Sequence, residues 1–356
     1  MSFNLDLLVR ENVKNLVPYS SARDDFRGEA KIFLDANENS LGSALPQPLL
    51  AGQAGYNRYP DPHQRKLKEK LSEIKKIAVG NIFLGNGSDE CIDILQRVFC
   101  EPGIDNMIIC PPTYGMYSVC AGINNIQVKR VRLTPGFQLD LGSIEQAIDG
   151  NTKMIFLCSP NNPTGNSLHH EDIETILDNY FGIVVVDEAY INFSRQRSFS
   201  TRLAEYPNLV LLQTLSKAWG LAALRIGIGL ASAEIIDLMN KIKPPYNINE
   251  ASQQLALEAL REISQVNEMT SEIVQQREIL AGALVNLPNV KKVFPSDANF
   301  LLVKMDRPLL VYAKLLEQGI VVRDRSKVEL CEGCLRITVG TPEENKALLY
   351  ALAAIE

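Results

Sequence analysis

Between about residues 80 and 230, short apolar runs alternate with helix-length amphipathic spans. Such a chain is restricted to a mostly parallel sheet with helices on both faces. The runs are Met107–Cys110, Met154–Cys158, Ile183–Val186, Val210–Leu212 and Ile226–Leu230, each bounded by Pro, Gly, Asp or Asn. Continuous apolar runs this short are how strands buried on both faces read. Polar segments follow them: Pro111-Pro112-Thr113-Tyr114, Ser159 to Gly165, Asp187-Glu188-Ala189-Tyr190 and Thr214-Leu215-Ser216-Lys217. In open α/β sheets the carboxyl ends of the strands form the ligand crevice. Four chemically pointed segments are therefore expected on one sheet edge.

A chain of 356 residues exceeds one ordinary core and suggests two domains. The expected division is a large domain over 45–245 and a small α+β domain built from 1–44 and 246–356. In the tail, Ala251 to Leu287 reads as one long helix closed by Pro288. Strands follow at about 290–293, 299–303, 320–323 and 335–339, with helices at about 308–317 and 342–355. Residues 3–16 read as an amphipathic helix, part of an N-terminal arm expected to return onto the C-terminal unit.

A formal net charge of −6 argues against a broad basic surface, so no nucleic-acid partner is expected. No apolar run approaches the ~20 residues that span a bilayer, and Met1–Arg10 lacks a signal-peptide core. No membrane association and a cytoplasmic location are expected. With three histidines, neither a His-centred triad nor a multi-His metal site is expected. His169-His170 reads as the exposed start of a helix, and the lone Cys331-x-x-Cys334 as a turn before a strand.

The candidate chemistry begins at Lys217. An amine just past a buried strand, with Ser216 before it and Arg225 eight residues on, suits condensation with an aldehyde that also carries a phosphate. A solvated surface lysine is the plain alternative. Gly85-Asn86-Gly87-Ser88-Asp89 leads into a helix and forms an anion cradle, or only a helix cap. Asp187 ends an apolar strand, where a carboxylate is costly unless a cation meets it. A protonated pyridine nitrogen would be such a cation, and a helix N-cap is the plainer role. Tyr190 and Asn162 could hydrogen-bond a ring oxygen, although Asn162-Pro163 could equally start a turn. Tyr114 could stack on a flat cofactor or fill a core.

Asn162-Pro163-x-Gly165, Asp187-x-x-Tyr190, Ser216-Lys217 and Arg225 together resemble the fold-type I aminotransferases, which use pyridoxal 5′-phosphate. Asp35 to Asn39, Asn57-Arg58-Tyr59-Pro60, Pro112 to Tyr117 and Leu335 to Gly340 extend the resemblance to the histidinol-phosphate aminotransferases within that group. The resemblance covers nearly the whole chain. It implies that Lys217 bonds the cofactor and shuttles a proton, Asp187 pairs with the ring nitrogen, and Tyr190 and Asn162 hold the ring oxygen. Tyr114 is implied to stack on the ring. The cofactor phosphate is implied to rest on Arg225, Ser216, Thr214, Gly87 and Ser88. Tyr59 is implied to reach it from a partner subunit, hence a homodimer. Arg336 is implied to bind the anionic end of glutamate, 2-oxoglutarate and histidinol phosphate in turn, with Arg323, Tyr19, Asn37 and Tyr246 as further substrate contacts. Trp219, Ala223 and Ser40 depart from the family pattern, and Trp219 could alter the pocket wall. Other fates on the same scaffold are an aromatic amino acid aminotransferase or a threonine-phosphate decarboxylase. A cofactor-sensing regulator would need an added DNA-binding module.

Overall fold

A computed structural model describes residues 31–34, 37, 41 and 60–355. The expected helix over 3–16, Tyr19 and Tyr59 lie outside the described residues. In chain order the strands are β1 (Ile32–Phe33), β2 (Ile82–Asn86), β3 (Asn106–Ile109), β4 (Gln127–Arg130), β5 (Thr152–Cys158), β6 (Ile183–Asp187), β7 (Leu209–Thr214) and β8 (Ile226–Leu230). They continue with β9 (Val290–Val293), β10 (Phe300–Met305), β11 (Ile320–Val321), β12 (Arg323–Asp324) and β13 (Cys334–Thr338).

Seven strands form the large sheet in the order β2-β8-β7-β6-β5-β3-β4. The neighbours from β7 to β4 pair in parallel, while β8 is antiparallel to both β7 and β2. The α/β class with a mostly parallel sheet is therefore the fold. Side chains alternate across it. Val184 and Val186 pack into one apolar cluster, with Ile173 and Leu177 of the helix His170–Asn179. Val185 packs into the opposite one, with Leu95 of Ser88–Phe99 and Met239 of Ala233–Ile242. Burial on both faces is why the strands read as unbroken apolar runs.

Two strands of this sheet are absent from those runs. β4, Gln-Val-Lys-Arg, is a polar edge strand with exposed ends, the composition that discourages edge-to-edge pairing. β2 is apolar but only five residues long and runs straight into the glycine turn.

A second sheet, β12-β13-β10-β9, is antiparallel throughout and carries its own core, including Leu301, Val303, Leu335, Ile337 and Leu348. Its helices are Pro308–Glu317 and Pro342–Ala353, the latter opened by a capping box between Thr341 and Glu344. β1 pairs in parallel with β11, and Leu34 enters this second core, so the described part of the arm does return onto the C-terminal unit. The expected single helix over 251–287 is two helices, Glu250–Ala259 and Ile263–Leu284. At the break, the Arg261 and Glu262 amides bond the Glu258 and Ala259 carbonyls three residues back, a tightening that ends the first helix. The Cys331-Cys334 segment is a turn, with the Cys334 amide on the Cys331 carbonyl at 2.9 Å, and β13 begins at Cys334.

Candidate active site

The strand order brings the carboxyl ends of β2, β5, β6 and β7 and the start of β8 to one edge of the large sheet. At β2 the chain turns through Gly87, at φ 79°, into the helix Ser88–Phe99. The N–H groups of a helix's first turn have no intrahelical acceptor and face outward with the positive dipole end. Beside them, the Thr214 hydroxyl donates to Ser216 Oγ at 3.0 Å, and Arg225 Nη1 lies 3.5 Å from the same oxygen. Arg225 Nη2 also lies 3.6 Å from Asp89 Oδ2, while the Tyr114 hydroxyl donates to Asp89 Oδ1 at 2.9 Å. Gly87, Ser88, Thr214, Ser216, Arg225 and Tyr114 thus gather around one cup of amides, hydroxyls and a guanidinium, a suitable seat for a phosphate.

Two glycines make the cup possible. A side chain on Gly87 would meet Arg225 Nη2 at 2.3 Å. A Cβ on Gly227, in β8, would lie 2.2 Å from both the Gly87 carbonyl carbon and the Ser88 nitrogen. Backbone cannot yield as a side-chain tip can, so Gly227→Ala should push the cup open. We expect a loss of about 1–3 kcal/mol in denaturant unfolding, typical of overpacking, and unaltered stability would contradict this contact.

Asp187 stands at the end of β6, only 3% exposed. The Tyr117 hydroxyl donates to its Oδ2 at 2.7 Å and the Ala189 amide to its Oδ1 at 3.1 Å. Burial pushes the Asp187 carboxyl up to about 6. The two donors pull it back, while Asp89 and Glu188 push it further up. A carboxylate so placed favours a cation brought against it. Glu188 turns to a separate buried network, accepting from Gln213 Nε2 at 2.8 Å, and Gln213 Oε1 accepts from Lys75 Nζ at 2.5 Å. That network ties the residue just past β6 to Gln213 near the end of β7.

Lys217, half-buried, places Nζ 5.7 Å from the centre of the Tyr190 ring. Burial pushes the Tyr190 phenol up to about 12, with Arg336 and Asn37 pulling the other way. Its oxygen accepts from Asn37 Nδ2 at 3.2 Å, and its ring meets Phe300 of β10 edge-on. Asn37 is itself locked to β13 through Thr338, whose hydroxyl accepts from the Asn37 amide at 3.1 Å and donates to Asn37 Oδ1 at 3.0 Å. Arg323 and Arg336 are register partners on β12 and β13, both buried. Arg336 Nη1 donates to Asn162 Oδ1 at 2.5 Å, joining the second sheet to the loop after β5.

The sequence candidates among the described residues are thus gathered from both sheets, except Tyr246, which is 44% exposed on the loop before the helix Glu250–Ala259. Trp219 is a core residue, 7% exposed. Tyr117, Asp89 and Gly227 are the contributors that sequence reasoning passed over. Tyr117 lay inside a noted segment, but nothing in its spacing reveals that it faces Asp187.

The description "aminotransferase class I and II" fits residues 29–352 of this chain. A histidinol-phosphate aminotransferase of Cytophaga hutchinsonii is 53% identical over 352 residues, which cover 99% of each chain. One from Parabacteroides distasonis is 52% identical over 345 residues, 97% of each. Among solved structures, the histidinol-phosphate aminotransferase from Sinorhizobium meliloti in complex with pyridoxal-5′-phosphate superposes with a TM-score of 0.85 at 22% identity, covering 98% of this chain and 97% of that one. That last likeness speaks to the fold alone. With the family match spanning nearly the whole chain and the strand ends disposed as described, this chain belongs to the aminotransferase class I and II family.

Proposed function

We propose that this chain is a histidinol-phosphate aminotransferase, exchanging an amino group between glutamate/2-oxoglutarate and histidinol phosphate/imidazole acetol phosphate, with pyridoxal 5′-phosphate as cofactor. The observation that carries the reading within the molecule is the pair Arg323 and Arg336, buried side by side on β12 and β13 across from Lys217 and Tyr190. Guanidinium forks bind carboxylate and phosphate alike, so one pocket can serve both substrates. A phosphate monoester, close to doubly charged at neutral pH, suits two such groups better than an apolar side chain does.

The residues fit the cofactor. Pyridoxal 5′-phosphate, when bound, supplies an aldehyde that takes up the amino group and a ring that accepts an electron pair. The cup at Gly87, Ser88, Thr214, Ser216 and Arg225 would hold its phosphate. The Asp187 carboxylate would keep a proton on its ring nitrogen. Tyr190 and Asn162 would bond its ring oxygen, and Tyr114 would pack against it. Lys217 Nζ would hold the cofactor through its aldehyde and would serve as the base and acid for the proton at the substrate Cα. Arg336, steadied by Asn162, fixes the anionic end of the substrate so that the Cα proton points at Lys217. Arg323, Asn37 and Tyr19 would complete the substrate contacts.

The same reading places the large unit at 45–245 and the small one at 1–44 with 246–356. It includes a cytoplasmic homodimer in which Tyr59 reaches the partner's phosphate cup, with no nucleic-acid or membrane partner. No helix among the described residues is long and apolar enough to cross a membrane.

Substrate competition tests the proposal. A pocket built to bind an anion should reject an amine donor lacking one by about 10³-fold or more. We expect kcat/KM for histidinol phosphate to exceed that for histidinol, which lacks the phosphate, by such a factor, with 2-oxoglutarate as acceptor. A rate with phenylalanine comparable to that with histidinol phosphate would make the chain an aromatic aminotransferase. Carbon dioxide release from a phosphorylated amino acid would make it a decarboxylase.

A further inference from the structure

We propose that Tyr117 is a positioning residue for Asp187: its phenol O–H donates to Asp187 Oδ2 at 2.7 Å and, with the Ala189 amide on Oδ1, fixes the carboxylate plane that meets the cofactor ring. The inference rests on the reading that Asp187 faces the ring nitrogen of pyridoxal phosphate.

Tyr117 sits in the helix Met116–Ile123 and is 0% exposed. Its ring stacks on Phe156 of β5 at 4.8 Å and meets the Tyr114 ring edge-on at 5.6 Å. A phenylalanine would make the same ring contacts. The hydroxyl is a buried polar atom in an apolar cluster, a costly placement unless it is hydrogen-bonded. Its acceptor is the carboxylate of Asp187. Burial, and then the Asp187 charge, push the Tyr117 phenol well above its usual value, so the proton stays on oxygen and the group is a permanent donor.

The groups around Asp187 explain why such a donor is needed. Cys158 is its register partner on β5, Asp89 lies on the helix Ser88–Phe99, and Glu188 is its chain neighbour. Burial, Asp89 and Glu188 all disfavour the ionised form, and the donors from Tyr117 and Ala189 favour it. With one donor on each oxygen, the carboxylate cannot rotate without breaking a charge-assisted bond. The side chain that orients Asp187 thus comes from the first turn of the helix Met116–Ile123, just after the segment that carries Tyr114.

A double-mutant cycle on the dissociation constant of pyridoxal phosphate tests this, using Y117F, D187N and the pair. A hydrogen bond to a charged acceptor is worth about 10- to 100-fold. We expect Y117F to weaken cofactor binding by about tenfold or more in the wild-type background, and by less than about twofold in the D187N background, since a bond acting through the carboxylate is lost only once. Equal losses in both backgrounds would show that the hydroxyl matters only for packing and would overturn the proposal. Unchanged affinity in Y117F would do the same. A Y117F chain that no longer melts cooperatively would assign the hydroxyl to folding and likewise overturn it. A wild-type chain that binds no pyridoxal phosphate would instead overturn the functional reading beneath it.

Discussion

Lys217→Ala is expected to abolish turnover while leaving the fold intact. In the proposed function Lys217 carries two tasks at one atom: it would bond the cofactor and move the substrate's Cα proton. General acid–base work alone is worth about 10²–10⁴-fold, so a combined loss of about 10⁴-fold or more in kcat is expected. The side chain is half-buried and its ammonium lies over the Tyr190 ring, so truncation removes a cation–π contact of about 0.5–1 kcal/mol and little packing. Melting should therefore change little. A Lys217→Ala chain with ordinary activity would refute the role of this residue.

Asp187→Asn should have the next largest effect, and its signature is a dependence on pH. In activity, losing the carboxylate proposed to hold a proton on the cofactor ring should cost about 10²–10³-fold in kcat, the scale seen for removing one preorganised electrostatic partner. In stability of the cofactor-free chain the effect runs the other way. Burial raises Asp187 from 3.8 to about 6, so the folded state prefers the protonated form. The ionised side chain destabilises the fold fully above about pH 6, and that cost disappears as pH falls toward 3.8. At about 1.4 kcal/mol per pH unit, the span is about 3 kcal/mol. Asparagine does not titrate, so the stability of the variant relative to wild type should rise by about that amount between about pH 4 and pH 7.5. The new amide keeps one acceptor oxygen for the Ala189 N–H and turns its NH2 toward the Tyr117 hydroxyl, which must give up its bond to the carboxylate, a constant penalty that shifts the curve without changing its slope. Urea unfolding at several pH values reads the difference. A difference that is flat with pH would mean that Asp187 does not titrate as its burial requires.

The large sheet was legible because its central strands are buried on both faces, which forces unbroken apolar runs, and because four of the five runs end in polar chemistry. Lys217, Asp187, Tyr190 and Asn162 could be placed on one edge from that alone, and Arg225 from its place just before the fifth run. β4 was missed because an edge strand needs no apolar run, and its Gln127-Val128-Lys129-Arg130 looks like a loop. The break at residues 260–262 was missed because apolar spacing continues across it and no glycine or proline marks it. Tyr117 and Gly227 were beyond sequence reasoning for a shared reason. Their importance lies in what approaches them from elsewhere in the chain: Asp187 at 2.7 Å from the phenol oxygen, and the backbone of Gly87 and Ser88 against Gly227. Spacing along a chain does not encode such approaches. The pairing of Arg336 with Asn162, which joins the two sheets across the site, is of the same kind.

The central claim is that Lys217 holds pyridoxal phosphate and that the bound cofactor carries an amino group from one substrate to the other. A visible absorption spectrum of the purified chain, reconstituted with pyridoxal 5′-phosphate, tests it most directly. The account predicts a yellow protein whose visible band vanishes on adding histidinol phosphate and returns on adding 2-oxoglutarate, with neither change in Lys217→Ala. A band that ignores both substrates in the wild-type chain, or that responds equally in Lys217→Ala, would contradict it.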